Sequence, residues 1–120
     1  MIRLIVSDID GTLVPEGGTY VNPEYMTVIR ALLDRGVRFA AASGRQAASI
    51  DAVFHELCDE IYYLADNGAV IQKGGRAIKE QYMDGGELRA LLKELRGISG
   101  QRLLLSVKEG YYTDEQDREF

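Results

Sequence analysis

The segment LIVSDIDGTLV, residues 4–14, places Asp8 and Asp10 one residue apart at the end of an apolar run, followed at once by Gly11 and Thr12. A carboxylate at the carboxyl edge of a buried strand is costly to desolvate without a partner, and two so close repel one another. A bound cation answers both objections. Magnesium takes oxygen ligands, keeps several waters and is usually held by one or two carboxylates plus a substrate phosphate. Beside such an ion one aspartate can act as nucleophile while the other donates a proton. Gly11 permits an abrupt turn that brings backbone N–H groups near a phosphate, and Thr12 adds a hydroxyl.

Residues 2–6 are apolar apart from Arg3 and predict a central strand buried on both faces of a parallel sheet. After the acidic pair, short arms at 13–14 and 19–21 around Pro15, Glu16, Gly17 and Gly18 read as a small hairpin flap. Asn22 can cap a helix that has Pro23 at its first position, Glu24 in its first turn and Gly36 at its close. Residues 37–42 form a second strand ending at Ser43–Gly44–Arg45. A helix with Ala47, Ile50, Phe54 and Leu57 on one face follows, then a third strand, 61–65, ending at Asp66–Asn67–Gly68–Ala69.

Strand, helix, strand, helix, strand signals right-handed crossovers onto a parallel sheet, so this is an α/β chain. Ligands of such sheets bind outside the carboxyl ends of the strands, where Asp8, Asp10, Ser43, Arg45 and Asn67 all fall. The pattern then changes. Residues 69–72 and 77–81 flank KGGR as an antiparallel hairpin, a helix from Gly86 to Gly97 carries Leu88, Leu91, Leu92 and Leu95, and a strand at 102–107 turns into an arm at 111–113. A boundary near Met83 divides a core, 1–82, from a second region, 83–120.

At 120 residues with 46% hydrophobic content, one core can be built that buries roughly two thirds of the unfolded surface. The net charge of −5 gives no basic surface for nucleic acid, so an anionic ligand must be held locally. No apolar run approaches the ~20 residues of a membrane span, the start lacks a secretory signal, and Cys58 has no disulfide partner. These features predict a cytoplasmic protein with neither membrane nor nucleic-acid partners, and leave its oligomeric state open. His55 reads as a surface residue, and the pairs Tyr62–Tyr63 and Tyr111–Tyr112 as packing groups.

DIDGTLV resembles the first signature of the haloacid dehalogenase-like hydrolases, and SGR with DNGA resembles the Cof-type subgroup, phosphatases with a large α/β cap. The resemblance implies a partial Rossmann-like parallel sheet over 1–82 and the beginning of an α/β cap over 83–120. It implies a Mg²⁺-dependent phosphatase acting on a small phosphorylated metabolite, such as a sugar phosphate, through an aspartyl-phosphate. Asp8 would then be nucleophile and metal ligand, while Asp10 would offer its backbone carbonyl to the metal and its side chain as general acid and base. Gly11, Thr12, Ser43, Gly44, Arg45 and Asn67 become phosphate or substrate contacts. Alone Ser43 would more often cap the next helix, but its position in the βαβ unit favours the phosphate contact; Arg45 and Asn67 could instead be structural contacts, and Asn67–Gly68 could equally form a tight turn.

The family's later lysine and second acidic pair have no recognisable counterpart. Lys108 and the acidic residues 114–117 come before a cap could be complete, so the sequence reads as the N-terminal portion of a longer hydrolase. Two other readings compete. A receiver-type phosphoacceptor domain would use Asp66 and Lys108 but needs a helix where residues 69–82 read as a hairpin, and a non-catalytic fragment would keep only the metal site.

Overall fold

The computed structural model describes residues 1–15 and 18–113. The acidic tail DEQDREF, expected to be exposed, lies outside the described residues. The chain divides into two compact units, Met1–Gln81 and Tyr82–Phe120.

The first unit is a five-stranded sheet in which β1 (Leu4–Asp8), β2 (Arg38–Ala42) and β3 (Tyr62–Ala65) are parallel. An antiparallel hairpin of β4 (Val70–Lys73) and β5 (Arg76–Glu80) extends it in the order β1-β2-β3-β4-β5. A hairpin over residues 70–80 removes the receiver-type alternative, which requires a helix there. Helix α1 (Pro23–Asp34) joins β1 to β2, and α2 (Ala47–Val53), followed by a 3-10 turn His55–Leu57, joins β2 to β3.

Local chemistry fixes the ends of α1. The Asn22 side chain accepts from the Glu24 N–H at 2.9 Å, and Pro23 fills the first position. At the other end Gly36 adopts a left-handed φ of 76°. Its N–H donates to Leu33 and that of Val37 to Leu32, the reciprocal pair that satisfies a helix's last carbonyls.

Both helices pack on one sheet face. Ile5, Phe39, Ala41, Tyr63 and Ala65 from alternate strand positions meet Ile29, Ile50, Val53, Phe54 and Leu57 in a single core. Burial pushes the Tyr63 hydroxyl above the ordinary phenol range, assisted by the Asp51 carboxylate, to which it donates at 3.1 Å.

The first strand departs from expectation. It begins at Leu4 and lies at the edge of the described sheet, and Leu4 and Val6 are 51% and 52% exposed. Crossovers that advance in one direction across the sheet place both helices on the same side, which leaves the alternate residues of β1 uncovered.

The flap also differs, for its arms form no paired strands among the described residues. The N–H groups of Thr12, Leu13 and Val14 all donate to the Ile9 carbonyl, curling the chain into a turn, and Val14 makes only an isolated bridge to Asp10.

The second unit contains α3 (Gly85–Arg96) and an antiparallel pair, β6 (Leu104–Val107) and β7 (Gly110–Thr113). Asp84 caps α3, accepting from the N–H groups of Gly86 and Glu87 at 2.7 and 3.2 Å. Those bonds, from Glu87 and then Gly86, hold its carboxyl below the ordinary value of 3.8. A folded-state value below the unfolded one gives stabilisation that is present above the unfolded value and lost as pH falls through the folded one. Acid titration is therefore expected to shift the Gly86 and Glu87 amide resonances together in a transition below pH 3.8. Asp84→Asn, which retains a cap without a titrating group, is expected to abolish that transition.

Candidate active site

The carboxyl ends of β1 and β2 lie side by side, with Asp8 in register with Ala42. Strand β1 delivers Asp8, and the turn after it delivers Asp10 while burying Ile9 completely in the core. Gly11, at φ 76°, permits this turn, and its N–H donates to the Val14 carbonyl at 2.8 Å. Thr12 reaches back to donate its hydroxyl to Asp8 Oδ2 at 3.3 Å.

The loop after β2 supplies the partners of Asp10. Ser43, 9% exposed, donates from Oγ to Asp10 Oδ2 at 3.0 Å and accepts from the Arg45 backbone N–H at 3.1 Å. The Arg45 guanidinium forks onto the same carboxylate, with Nε at 3.1 Å from both oxygens and Nη2 on Oδ1. Arg45 Nη2 also donates to the Gly18 carbonyl at 3.3 Å. Hydrogen bonding from Arg45 holds the Asp10 carboxyl below its ordinary value, with the Ser43 bond and the Arg45 charge acting in the same direction against partial burial.

Ser43 is therefore not a helix cap. Gln46 occupies the cap position of α2 and makes no side-chain capping bond, whereas the Ser43 hydroxyl is directed to Asp10.

The loop after β3 closes the group. Asp66, Asn67 and Gly68 have φ of 49°, 55° and 91°, three successive left-handed residues, of which two carry side chains. The Asp66 N–H donates to the Arg45 carbonyl and the Asn67 N–H to that of Ser43. A Cβ on Gly44 would lie 3.1 Å from Asn67 Oδ1, so a glycine there lets the Asn67 amide approach the second loop closely. The tight turn expected at Asn67–Gly68 thus also props up the loop bearing Ser43 and Arg45. His55 is exposed, as expected.

Gly18 is the contact that sequence reasoning missed. A Cβ there would lie 2.8 Å from the Pro15 carbonyl oxygen, so this close approach requires glycine, but no sequence motif announces that its carbonyl meets Arg45.

No group of three or more His, Cys, Asp or Glu able to hold a metal occurs among the described residues. The donor set nevertheless suits magnesium. Asp8 presents an exposed carboxylate whose contact at Thr12 is long, and Mg²⁺ needs only one or two protein carboxylates. Among the described residues no helix is long and apolar enough to cross a membrane.

Fold and site together define a Rossmann-like α/β core with an acidic site at the carboxyl edge of its parallel strands. Residues 5–120 match the haloacid dehalogenase-like hydrolases, and the chain belongs to that family. It is 32% identical over 77 residues to the 5-amino-6-(5-phospho-D-ribitylamino)uracil phosphatase YbjI of Escherichia coli (strain K12), covering 64% of this chain and 28% of that protein. A crystal structure from Eubacterium rectale is similar with a TM-score of 0.74 at 37% identity, over 79% of this chain and 36% of that one. BT1666 from Bacteroides thetaiotaomicron, described among phosphatases of the haloalkanoate enzyme superfamily, is similar with a TM-score of 0.75 at 25% identity, over 94% and 41%. The chain spans less than half the length of each.

Proposed function

We propose that this chain carries the nucleophile and proton-transfer half of a Mg²⁺-dependent phosphatase that hydrolyses a small phosphorylated metabolite through an aspartyl-phosphate. The observation that carries the reading is the convergence of Asp8, Asp10, Ser43 and Arg45 at the ends of two adjacent parallel strands in a member of this family. Relatives named as phosphatases support the reaction class, and the ribityl phosphate in the name of YbjI supports a phosphate ester of a sugar-like chain as the substrate class. The lone cysteine, without a disulfide partner in this sequence, supports the cytoplasm as its compartment.

In this reading Asp8 attacks phosphorus and the ester oxygen leaves. Thr12 orients the attacking carboxylate. Asp10 moves the protons, giving one to the leaving oxygen and later taking one from the water that cleaves the acyl phosphate. Mg²⁺, held by the Asp8 carboxylate and the Asp10 backbone carbonyl, would neutralise charge on the transferring group. The backbone turn at Gly11, with Gly44 and Asn67, frames the phosphate or substrate.

A second reading, metal and phosphate binding without turnover, is favoured by one observation: the Arg45 guanidinium is already committed to Asp10. A transferring phosphoryl group needs positive charge beyond that.

Release of inorganic phosphate from a panel of sugar and polyol phosphates separates the two readings. The phosphatase reading expects turnover that chelation of divalent ions abolishes and that Mg²⁺ restores. Ca²⁺, larger and content with irregular coordination, should fail to restore it. Phosphate release unaffected by chelation would remove the metal from the account.

A further inference from the structure

We infer that Arg45 is the positioning residue of Asp10, setting the direction of that carboxylate and tying it to the Gly18 carbonyl of the loop after β1. The inference rests on the phosphatase reading for its catalytic consequence, and on geometry alone for the contact itself.

A guanidinium is planar, always charged and offers five donors in a fixed fork. Here Nε lies 3.1 Å from both oxygens of Asp10, and Nη2 donates to Oδ1 and, at 3.3 Å, to the Gly18 carbonyl. Ser43 adds a bond to Oδ2 at 3.0 Å. Together these contacts restrict the Asp10 side chain to one orientation. The arginine is the more enclosed partner, with 24% of its side chain exposed against 46% for Asp10, so Asp10 retains an open side toward solvent.

The Gly18 contact extends the restraint to a second loop. The Gly18 N–H donates to the Pro15 carbonyl at 2.7 Å, and a Cβ at Gly18 would lie 3.0 Å from Val14 Cγ1. Glycine therefore permits this close approach to Val14 and Pro15, and its carbonyl meets Arg45. A group that must give and then take a proton loses rate steeply when misaligned. An arginine that aligns the ionised carboxylate serves the step in which water gives up its proton and fixes the direction from which Asp10, once protonated, meets the leaving oxygen.

This role has a kinetic signature distinct from that of a phosphate-binding arginine. Esters with a poor alkoxide leaving group need the acid, whereas a nitrophenyl ester does not. In Arg45→Ala, kcat is expected to fall by about 10²-fold on a sugar phosphate, which needs Asp10 in both steps, and by less on the nitrophenyl ester, which needs it only in the water step, while both KM values change little. Arg45→Lys, which keeps the charge but not the fork, is expected to recover only part of the loss. A rise in KM as the main effect on both esters, or a larger kcat loss on the nitrophenyl ester than on the sugar phosphate, would show that Arg45 binds the phosphate and would overturn the inference.

A second measurement is independent of turnover. By NMR the Arg45 Nε–H is expected to exchange with water at least about tenfold more slowly than that of exposed Arg38, and Arg45→Ala to speed exchange at the Gly18 amide. An Nε–H exchanging as fast as that of Arg38 would remove the contact and the inference with it. Absence of turnover on either ester in the unmodified protein, with a protected Nε–H, would count against the phosphatase reading and leave the positioning contact standing.

Discussion

Asp8→Asn is expected to reduce phosphate-ester hydrolysis by about 10³-fold or more, because the amide is neutral and cannot supply the attacking oxygen. The substitution is nearly isosteric at an exposed site, and the amide oxygen can still accept from Thr12, so the fold should be unchanged by circular dichroism. The expected result is thus loss of turnover in a folded protein. Retention of more than a tenth of the rate would assign the nucleophile elsewhere. Asp10→Asn should separate from Asp8→Asn in its leaving-group dependence, losing most on esters that need the acid.

The largest expected effect on stability is at Phe54. Its ring is fully buried at the carboxyl end of α2, in the core shared with Ile50, Leu57 and Tyr63. Truncating a buried phenylalanine removes its transfer free energy and leaves a cavity, so Phe54→Ala is expected to cost about 3–5 kcal/mol. That is a large share of the roughly 5–15 kcal/mol that stabilises a domain. Urea unfolding should show a sharply lowered midpoint. Ile78→Ala, on an exposed strand of the hairpin, should shift stability by no more than about 0.5 kcal/mol. Because α2 follows directly on the loop bearing Ser43 and Arg45, Phe54→Ala should also weaken metal and phosphate binding. An unfolding midpoint in Phe54→Ala close to that of the unaltered chain would mean that the core is organised differently.

Much of this architecture could be read from the residues because the signals are local. Asn22 and Pro23 start α1 and Gly36 ends it, and the strands 37–42 and 61–65 are short apolar runs between turn residues. The hairpin around KGGR follows from its paired glycines, both at positive φ. The exposure of Leu4 and Val6 could not be read in the same way. A run such as LIV looks the same in a central strand as in an edge strand covered on one side, because coverage depends on which elements lie across the sheet.

The site shows the same division. Motif residues announced Asp8, Asp10, Ser43 and Arg45 as neighbours at one sheet edge. Their pairing is a matter of side-chain direction between adjacent strands, so sequence left Ser43 open between capping a helix and serving the site, and Arg45 open between substrate and scaffold. The fork of Arg45 onto Asp10 and the Gly18 carbonyl is a contact across loops separated by more than a crossover. No spacing rule encodes it. Asn67 is intermediate: its turn was legible, but its approach to Gly44 becomes visible only when β2 and β3 are set side by side.

The most direct test of an Asp8-centred phosphoryl site is ¹⁹F NMR with beryllofluoride, which forms on a carboxylate a stable mimic of an acyl phosphate. With Mg²⁺ present, the account predicts bound fluorine resonances that vanish on chelation and are absent in Asp8→Asn. Bound resonances that persist in Asp8→Asn, or their complete absence from the folded, Mg²⁺-supplied protein, would contradict it.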